Sequence, residues 1–226
     1  MAYTSPQSNK TEGEAMREVS WAKVASIAGI LFVVLLIAGI ATTGDMPATD
    51  ASDSEHVDWW SDSGNQTRMI VSAYLITLAS LAFVAFLVAM RARLLAQPGS
   101  ELLARFSFAA GLLFAALLIA ATISIGQVAG AVKFGDAPLP AVDFLRMFPQ
   151  FGYGLMLLGG GLSAAASVAA ASWAILRTGA FERWLGWLGI VCAIVLLLGV
   201  FFLPMVALLI WVLAASVLLW RRPLTA

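Results

Sequence analysis

Long apolar stretches constrain this sequence more than any other feature. Four of them hold at least 20 residues each, and a fifth, from Trp184 to Trp220, holds 37. A helix that crosses a bilayer needs about 20 mostly apolar residues. The first four stretches therefore predict one span each, and the fifth predicts two spans joined by a tight hairpin near Pro204, because proline interrupts a helix. The predicted spans cover about residues 24–43, 69–90, 102–128, 151–176, 184–201 and 204–220.

The composition supports a membrane protein. Apolar residues make up 61% of the chain and charged residues 12%, and the mean hydropathy is +0.92. Soluble domains average about 45–50% apolar and about 25% charged residues. These values exclude a soluble enzyme and a disordered chain, and the net charge of zero excludes a nucleic-acid binder as well. The fold class predicted is an all-α six-transmembrane-helix bundle.

The distribution of charge predicts the orientation of the spans. With the N-terminus in the cytoplasm, ten of the 13 Lys and Arg residues fall on the inner side, and eight of the 13 acidic residues fall on the outer side. Basic residues collect on the cytoplasmic side of membranes. Both termini are therefore predicted to be cytoplasmic, with loops 44–67 and 129–150 outside. Residues 1–20 form a polar tail, and residues 21–226 form a single transmembrane domain.

Two alternatives to this topology remain open. The first apolar stretch could be a cleaved signal peptide, although its polar leader is long and its apolar run exceeds the usual signal core. The last apolar block could also be one long kinked helix, which would leave an odd number of spans.

The two outer loops contain predicted short helices. Ser52 to Ser61 reads as a helix capped by a serine, with Val57 and Trp60 on an apolar edge that lies on the membrane surface. Between the prolines of the second loop, residues 141–148 are expected to form one or two helical turns.

The first outer loop also holds the only histidine, and it lies among acidic residues. A histidine with carboxylates can hold a divalent ion weakly. The weak metal candidates are Asp53, Glu55, His56 and Asp58. The interpretation that we favour is a solvated acidic loop with no metal, and the sequence predicts no cofactor.

The predicted spans contain no ionisable residue at membrane depth, which argues against pumps and proton-coupled transporters. Their hydroxyl and amide groups are expected to bond mainly to backbone carbonyls and neighbouring helices. A second interpretation is a small polar cavity that opens outward and is lined by Tyr74, Gln127 and Tyr153.

The fourth span is rich in small residues, which let membrane helices approach closely. This pattern predicts that the fourth span is the central helix of the bundle, and the competing interpretation is an interface in a homo-oligomer. The small residues at helical spacing are Gly160, Gly161, Ala164, Ala165 and Ala169.

Two stretches resemble a known group of proteins. The segment from Arg177 to Gly189, RTGAFERWLGWLG, is followed by an apolar block and two arginines, and the segment from Val57 to Arg68 reads VDWWSDSGNQTR. Both resemble uncharacterised actinobacterial multi-pass membrane proteins of the domain-of-unknown-function type, in which Leu-Pro commonly stands where Phe181-Glu182 stands here. The resemblance implies six helices in a bacterial plasma membrane. It implies no activity and no functional residues.

The sequence leaves three functional hypotheses. The first is a non-catalytic membrane protein that serves as an accessory, interaction or envelope component, with lipids, other membrane proteins or a second copy as partners. The second is a binder or carrier of a lipid-like or apolar small molecule in a groove between helices, which an elongated buried cavity with ordered lipid would favour. The third is a metal-dependent enzyme at the outer surface.

Overall fold

The computed structural model describes residues 27–197 and 203–221, and every regular element in these residues is helical. In chain order the elements are α1 Ile27–Thr43, α2 Asp53–Ser61, α3 Ser63–Leu95, α4 Glu101–Gly135, α5 Val142–Gly154, a π-helical turn Leu155–Gly160, α6 Gly161–Thr178, α7 Arg183–Leu197 and α8 Leu203–Arg221.

Four predicted spans coincide with helices that are long and apolar enough to cross a membrane. These helices are α3, α4, the continuous stretch Val142–Thr178 and the part of α8 from Pro204–Arg221. The first and fifth predicted spans fall on α1 and α7, which are shorter apolar helices as described. The predicted tail at residues 1–20, and residues 198–202 of the predicted hairpin, lie outside the described residues.

The last apolar block contains two helices that pack against each other. α7 contacts α8, and a Cβ added at Gly189 would lie 2.5 Å from the indole nitrogen of Trp211. A single long kinked helix would separate these residues along its axis instead. The structure therefore favours the hairpin prediction over the kinked helix.

The segment before the fourth span differs from the prediction. The helical turns expected between the prolines at residues 141–148 are present, but they belong to a longer helix, because α5 runs through Pro149 and continues into the π-helical turn and α6. Proline inside a helix removes one backbone hydrogen bond. The π-helical turn begins six residues after Pro149. The sequence pattern shows the proline, but it shows neither the continuation of the helix past it nor the π-helical turn.

α6 packs at the centre of the bundle against α4 and α7. Gly160, Gly161, Ala164 and Ala165 are buried, and Ala169 is partly buried. Two serines tie α6 to α4: the Ser107 hydroxyl donates to the Ser167 carbonyl at 2.9 Å, and the Ser167 hydroxyl donates to the Ser107 carbonyl at 2.8 Å. Small side chains and paired hydroxyls of this kind hold helices together in lipid.

The turn between α3 and α4 is built differently from the usual cap. Ser100 precedes α4, but its hydroxyl donates back to the carbonyls of Leu94 and Gln97 rather than accepting from α4. Backbone N–H groups of Glu101 itself and of Gly99 stabilise the charged Glu101 carboxylate and lower its pKa below the ordinary value. Gly179 ends α6 in the left-handed conformation, with φ 72°, as glycine after a helix does.

Candidate functional site

The best-organised polar region lies at the end of α1, where residues 44–52 connect to α2. We call this connection, α2 and the first half of α5 the cap. Ser52 and Glu55 form a capping box: the Ser52 hydroxyl accepts from the Glu55 N–H at 3.3 Å, and the Glu55 carboxylate accepts from the Ser52 N–H at 2.9 Å. The helix predicted at Ser52 to Ser61 is therefore confirmed, with Ser52 as its cap.

The inner side of α2 packs into the protein. Trp60 is 1% exposed and lies in an apolar cluster with Met69 and Leu145. The expectation that Trp60 lies on the membrane surface is wrong, because α5 and the start of α3 cover the ring. The neighbouring Trp59 is partly buried and donates its indole N–H to the Asp45 carbonyl at 2.9 Å.

Side chains of α2 and α5 hold the connection in place. His56 Nε2 bonds to the Ala48 carbonyl at 3.1 Å. Arg146 Nη2 donates to the Ala51 carbonyl and to Asp53 Oδ1, both at 2.7 Å. The Gln150 amide also donates to the Thr49 hydroxyl, at 2.8 Å. The bonds of Arg146 and Gln150 join residues about a hundred positions apart, so the cap is a tertiary structure rather than a loose loop.

A cavity of about 300 Å³, the cap cavity, lies between the connection and α5. This volume is within the range of small-molecule sites, about 300–1,000 Å³. Its polar and aromatic lining residues are Asp45, Thr49, His56, Trp60, Arg146, Gln150 and Tyr153.

Three buried nitrogen atoms on residues of the cap cavity lack hydrogen-bond partners among the described residues. They are His56 Nδ1, Trp60 Nε1 and Arg146 Nε. An unsatisfied buried polar group costs about 1–3 kcal/mol, so most native structures supply a partner. All three atoms belong to residues that line the cap cavity, but each has almost no solvent-accessible surface, so none of them is open to the cavity itself.

Two further cavities continue from the cap cavity into the bundle. The middle cavity has a volume of about 140 Å³ and shares Gly44 and Tyr153 with the cap cavity. The apolar groove has a volume of about 340 Å³ and shares Ile40 and Met156 with the middle cavity. The three spaces are therefore neighbours that share walls, and they form a series between the cap and the bundle.

The polarity of the series changes along its length. The middle cavity mixes the hydroxyls of Thr43, Ser72 and Thr122 with apolar side chains. The apolar groove runs between α1 and α8 and is lined by apolar residues alone, namely Leu36, Ile37, Ile40, Ala41, Met156, Met205, Val206 and Leu209. A space that is polar at one end and apolar at the other matches the shape of an amphiphile.

The π-helical turn contributes directly to this series. It carries Met156, which is 7% exposed and lines both the middle cavity and the apolar groove. π-helical turns occur frequently at functional sites. Methionine is unbranched and polarizable, so it adapts to apolar ligands of different shape.

The structure separates the three residues of the predicted polar cavity. Tyr153 lines both the cap cavity and the middle cavity. Tyr74 is 68% exposed and Gln127 is exposed, and neither lines the two cavities that Tyr153 lines. A polar side chain is able to line a cavity, but whether it faces a cavity or the surface depends on how its helix packs, which the sequence does not show.

The metal candidates have other roles in the described structure. Asp53 pairs with Arg146, Glu55 completes the capping box, and His56 holds the Ala48 carbonyl. Asp58 is exposed and its carbonyl accepts the N–H at the end of α2. Among the described residues, no group of three or more His, Cys, Asp or Glu side chains is arranged to hold a metal ion.

Sequence reasoning missed the site's central cation. Arg146 was not among the candidate site residues, and in the structure it forms an ion pair with Asp53, 93 residues earlier. The sequence did contain a signal for this ion pair, because the second outer loop carries an arginine and the first outer loop is rich in acidic residues. Gln150, Thr49 and Met156 carried no signal in sequence.

Comparisons with known proteins place the chain in a family without assigning a role. No curated protein and no solved structure matches the chain. Residues 27–225, which include all the helices described above, match the family described as a domain of unknown function, DUF4386. The chain belongs to the DUF4386 family.

Proposed function

We propose that the chain is a non-catalytic protein with six membrane spans that binds a lipid-like amphiphile along the series of cavities. The observation that carries this proposal is that the cap cavity, the middle cavity and the apolar groove are neighbours that share lining residues. A membrane protein with a polar cap cavity beside an apolar groove offers separate environments to a head group and a chain. This observation favours the binder over an accessory subunit with no ligand.

The proposed topology places both termini in the cytoplasm and the cap outside a bacterial plasma membrane. The six apolar helices α1, α3, α4, α6, α7 and α8 and the asymmetry of the basic residues support it. In a Cys192→Ala background, cysteines at Ser63 and Gly135 should react with an impermeant thiol reagent in intact cells. Cysteines at Gly99 and Gly179 should react only after lysis, and labelling of Gly179 in intact cells would refute the topology.

The uses of the cap residues support the proposed non-catalytic role. The side chains that could serve chemistry, Asp53, Glu55 and His56, each form bonds that hold the cap together. The proposal therefore assigns these residues to the architecture and the binding surface, and not to an outer metal-dependent enzyme.

A pair of variants on α8 tests amphiphile binding. Val206 is 50% exposed and lines the apolar groove, whereas Ile210 is 51% exposed and does not line it. Val206→Trp should fill the groove and reduce the lipid that stays bound to the purified protein several-fold, as measured by quantitative lipid mass spectrometry after washing in mild detergent. Ile210→Trp is the matched control and should retain lipid normally. Equal retention by both variants would contradict the proposal.

A further inference from the structure

We propose that Met156 is a movable wall between the apolar groove and the middle cavity, and that it selects amphiphiles whose chain is unbranched. This inference rests on the proposed function and names the class of chain that the site accepts. It follows from three features of the wall: its position, the rigidity of its α1 side and the shape of the methionine side chain.

The wall lies on the path between the two ends of the amphiphile. The apolar groove and the middle cavity have two lining residues in common, Ile40 of α1 and Met156 of the π-helical turn. The cap cavity and the apolar groove share no lining residue. The direct path from the cap cavity to the groove therefore runs through the middle cavity and past Ile40 and Met156.

The α1 side of this wall is fixed. The Ser72 hydroxyl of α3 donates to the Gly39 carbonyl of α1 at 2.8 Å. The two helices also pack closely there, because a Cβ added at Gly39 would lie 2.5 Å from Ile76 Cγ1. Isoleucine is branched at Cβ and is therefore stiff about its first side-chain torsion. Ile40 stays where α1 holds it, so a passage must open on the side of Met156.

The Met156 side chain can open such a passage by rotating. Methionine is unbranched and has three rotatable bonds, so it adapts its shape more readily than other apolar residues. Its side chain has about the cross-section of an alkyl chain, and the space that it vacates on rotation is therefore one unbranched chain wide.

A branched chain does not fit the space that Met156 vacates. Met156 is 7% exposed and belongs to the main apolar core, so the side chains around it are closely packed. A methyl branch or a ring at the wall would have to displace these neighbours, which is as unfavourable as overpacking a core. The wall therefore passes an unbranched chain and excludes a branched one.

The test places two lysophosphatidylcholines in competition for the purified full chain. Palmitoyl and phytanoyl lysophosphatidylcholine share a head group and a sixteen-carbon backbone, but the phytanoyl chain carries a methyl branch on every fourth carbon. The protein is incubated in mild detergent with an equimolar mixture, and the lipid that stays bound after washing is counted by mass spectrometry. The palmitoyl form should be retained in about tenfold excess, as expected when a methyl group must be forced into packed surroundings. Apolar surface alone would favour the phytanoyl form instead.

Two alanine variants assign the preference to the wall. Met156→Ala removes the wall and should retain the palmitoyl and phytanoyl forms in nearly equal amounts. Leu36→Ala is the matched control, because Leu36 is 3% exposed and lines the apolar groove but not the middle cavity. Leu36→Ala should keep the preference for the palmitoyl form. Loss of the preference in Leu36→Ala would place the selection along the groove and not at Met156.

A third variant tests the movement of the side chain. Met156→Ile changes the apolar volume little but makes the side chain stiff. It should therefore unfold near the denaturant concentration needed for the unaltered protein, yet retain several-fold less of the palmitoyl form. Normal retention by a folded Met156→Ile protein would refute a movable wall. If neither variant of Met156 folds, the competition on the unaltered protein and on Leu36→Ala decides the question.

The outcomes separate this inference from the proposed function. Equal retention of the palmitoyl and phytanoyl forms by the unaltered protein would overturn the selection of unbranched chains. If Val206→Trp still reduced the retention of both forms, amphiphile binding would stand. Retention that Val206→Trp leaves unchanged would overturn both.

Discussion

The contact between α5 and α4 beneath the cap cavity allows a quantitative prediction. Gly152 is buried, and a Cβ added there would lie 2.8 Å from the Ala121 carbonyl oxygen and 3.0 Å from Ile125 Cδ1. Real Cβ atoms do not approach backbone so closely, and a carbonyl inside α4 cannot rotate away. Gly152→Ala should therefore push α5 away from α4.

Gly154 supplies a matched control on the same helix. It is exposed, and a Cβ added there would meet no atom within 4 Å. Both substitutions gain the same helical preference of alanine over glycine, about 1 kcal/mol at most, while overpacking at Gly152 costs about 1–3 kcal/mol. Because the helical term cancels, the difference in unfolding free energy between the two variants isolates the overpacking cost, about 1–3 kcal/mol.

The measurement is unfolding of each purified variant in the same detergent, followed by circular dichroism. Gly154→Ala should unfold at or slightly above the denaturant concentration needed for the unaltered protein, and Gly152→Ala should unfold clearly below it. Gly152→Ala should also weaken lysophospholipid binding, because Gln150 and Tyr153 flank the substituted position and line the cap cavity. Equal stability of the two variants would refute the close packing of α5 on α4.

Two further comparisons test the packing described above. Gly161→Leu should strongly lower the stability of the bundle to unfolding in detergent, because Gly161 is buried. Leu158→Ala should have little effect, because the Leu158 side chain is 63% exposed. A Gly161→Leu protein as stable as the unaltered one would place the small-residue face of α6 against lipid. Trp60→Ala should lower the free energy of unfolding by about 3–5 kcal/mol and open the cap to limited proteolysis. Trp59→Ala removes one hydrogen bond of a partly buried ring and should lower the free energy of unfolding by less. If the protease cut the cap faster in the Trp59→Ala variant than in the Trp60→Ala variant, Trp60 would not be the residue that anchors the cap.

The sequence predicted those features that depend on neighbouring residues. The apolar stretches located the helices, and a serine at the start of a short polar segment located α2. Each of these signals acts within a few positions along the chain, so it can be read without knowledge of the fold.

The cavities could not be predicted because they depend on contacts between distant residues. The ion pair of Arg146 with Asp53 spans 93 positions, and the apolar groove joins α1 to α8 at opposite ends of the chain. Hydropathy also does not show which face of a span is buried, so Tyr74 and Tyr153 looked equivalent in sequence although one is exposed and the other lines two cavities. The π-helical turn that carries Met156 has no signature in composition.

Photo-cross-linking tests most directly whether an acyl chain occupies the groove between α1 and α8. A lysophospholipid with a diazirine midway along its chain is added to the full chain in phosphatidylcholine vesicles and irradiated, and the labelled residues are mapped by mass spectrometry. Labels should concentrate on Ile37, Ile40 and Val206, the exposed residues of the groove. Labels spread over exposed apolar residues of α3 and α4, such as Leu81 and Leu112, in proportion to exposure would contradict it.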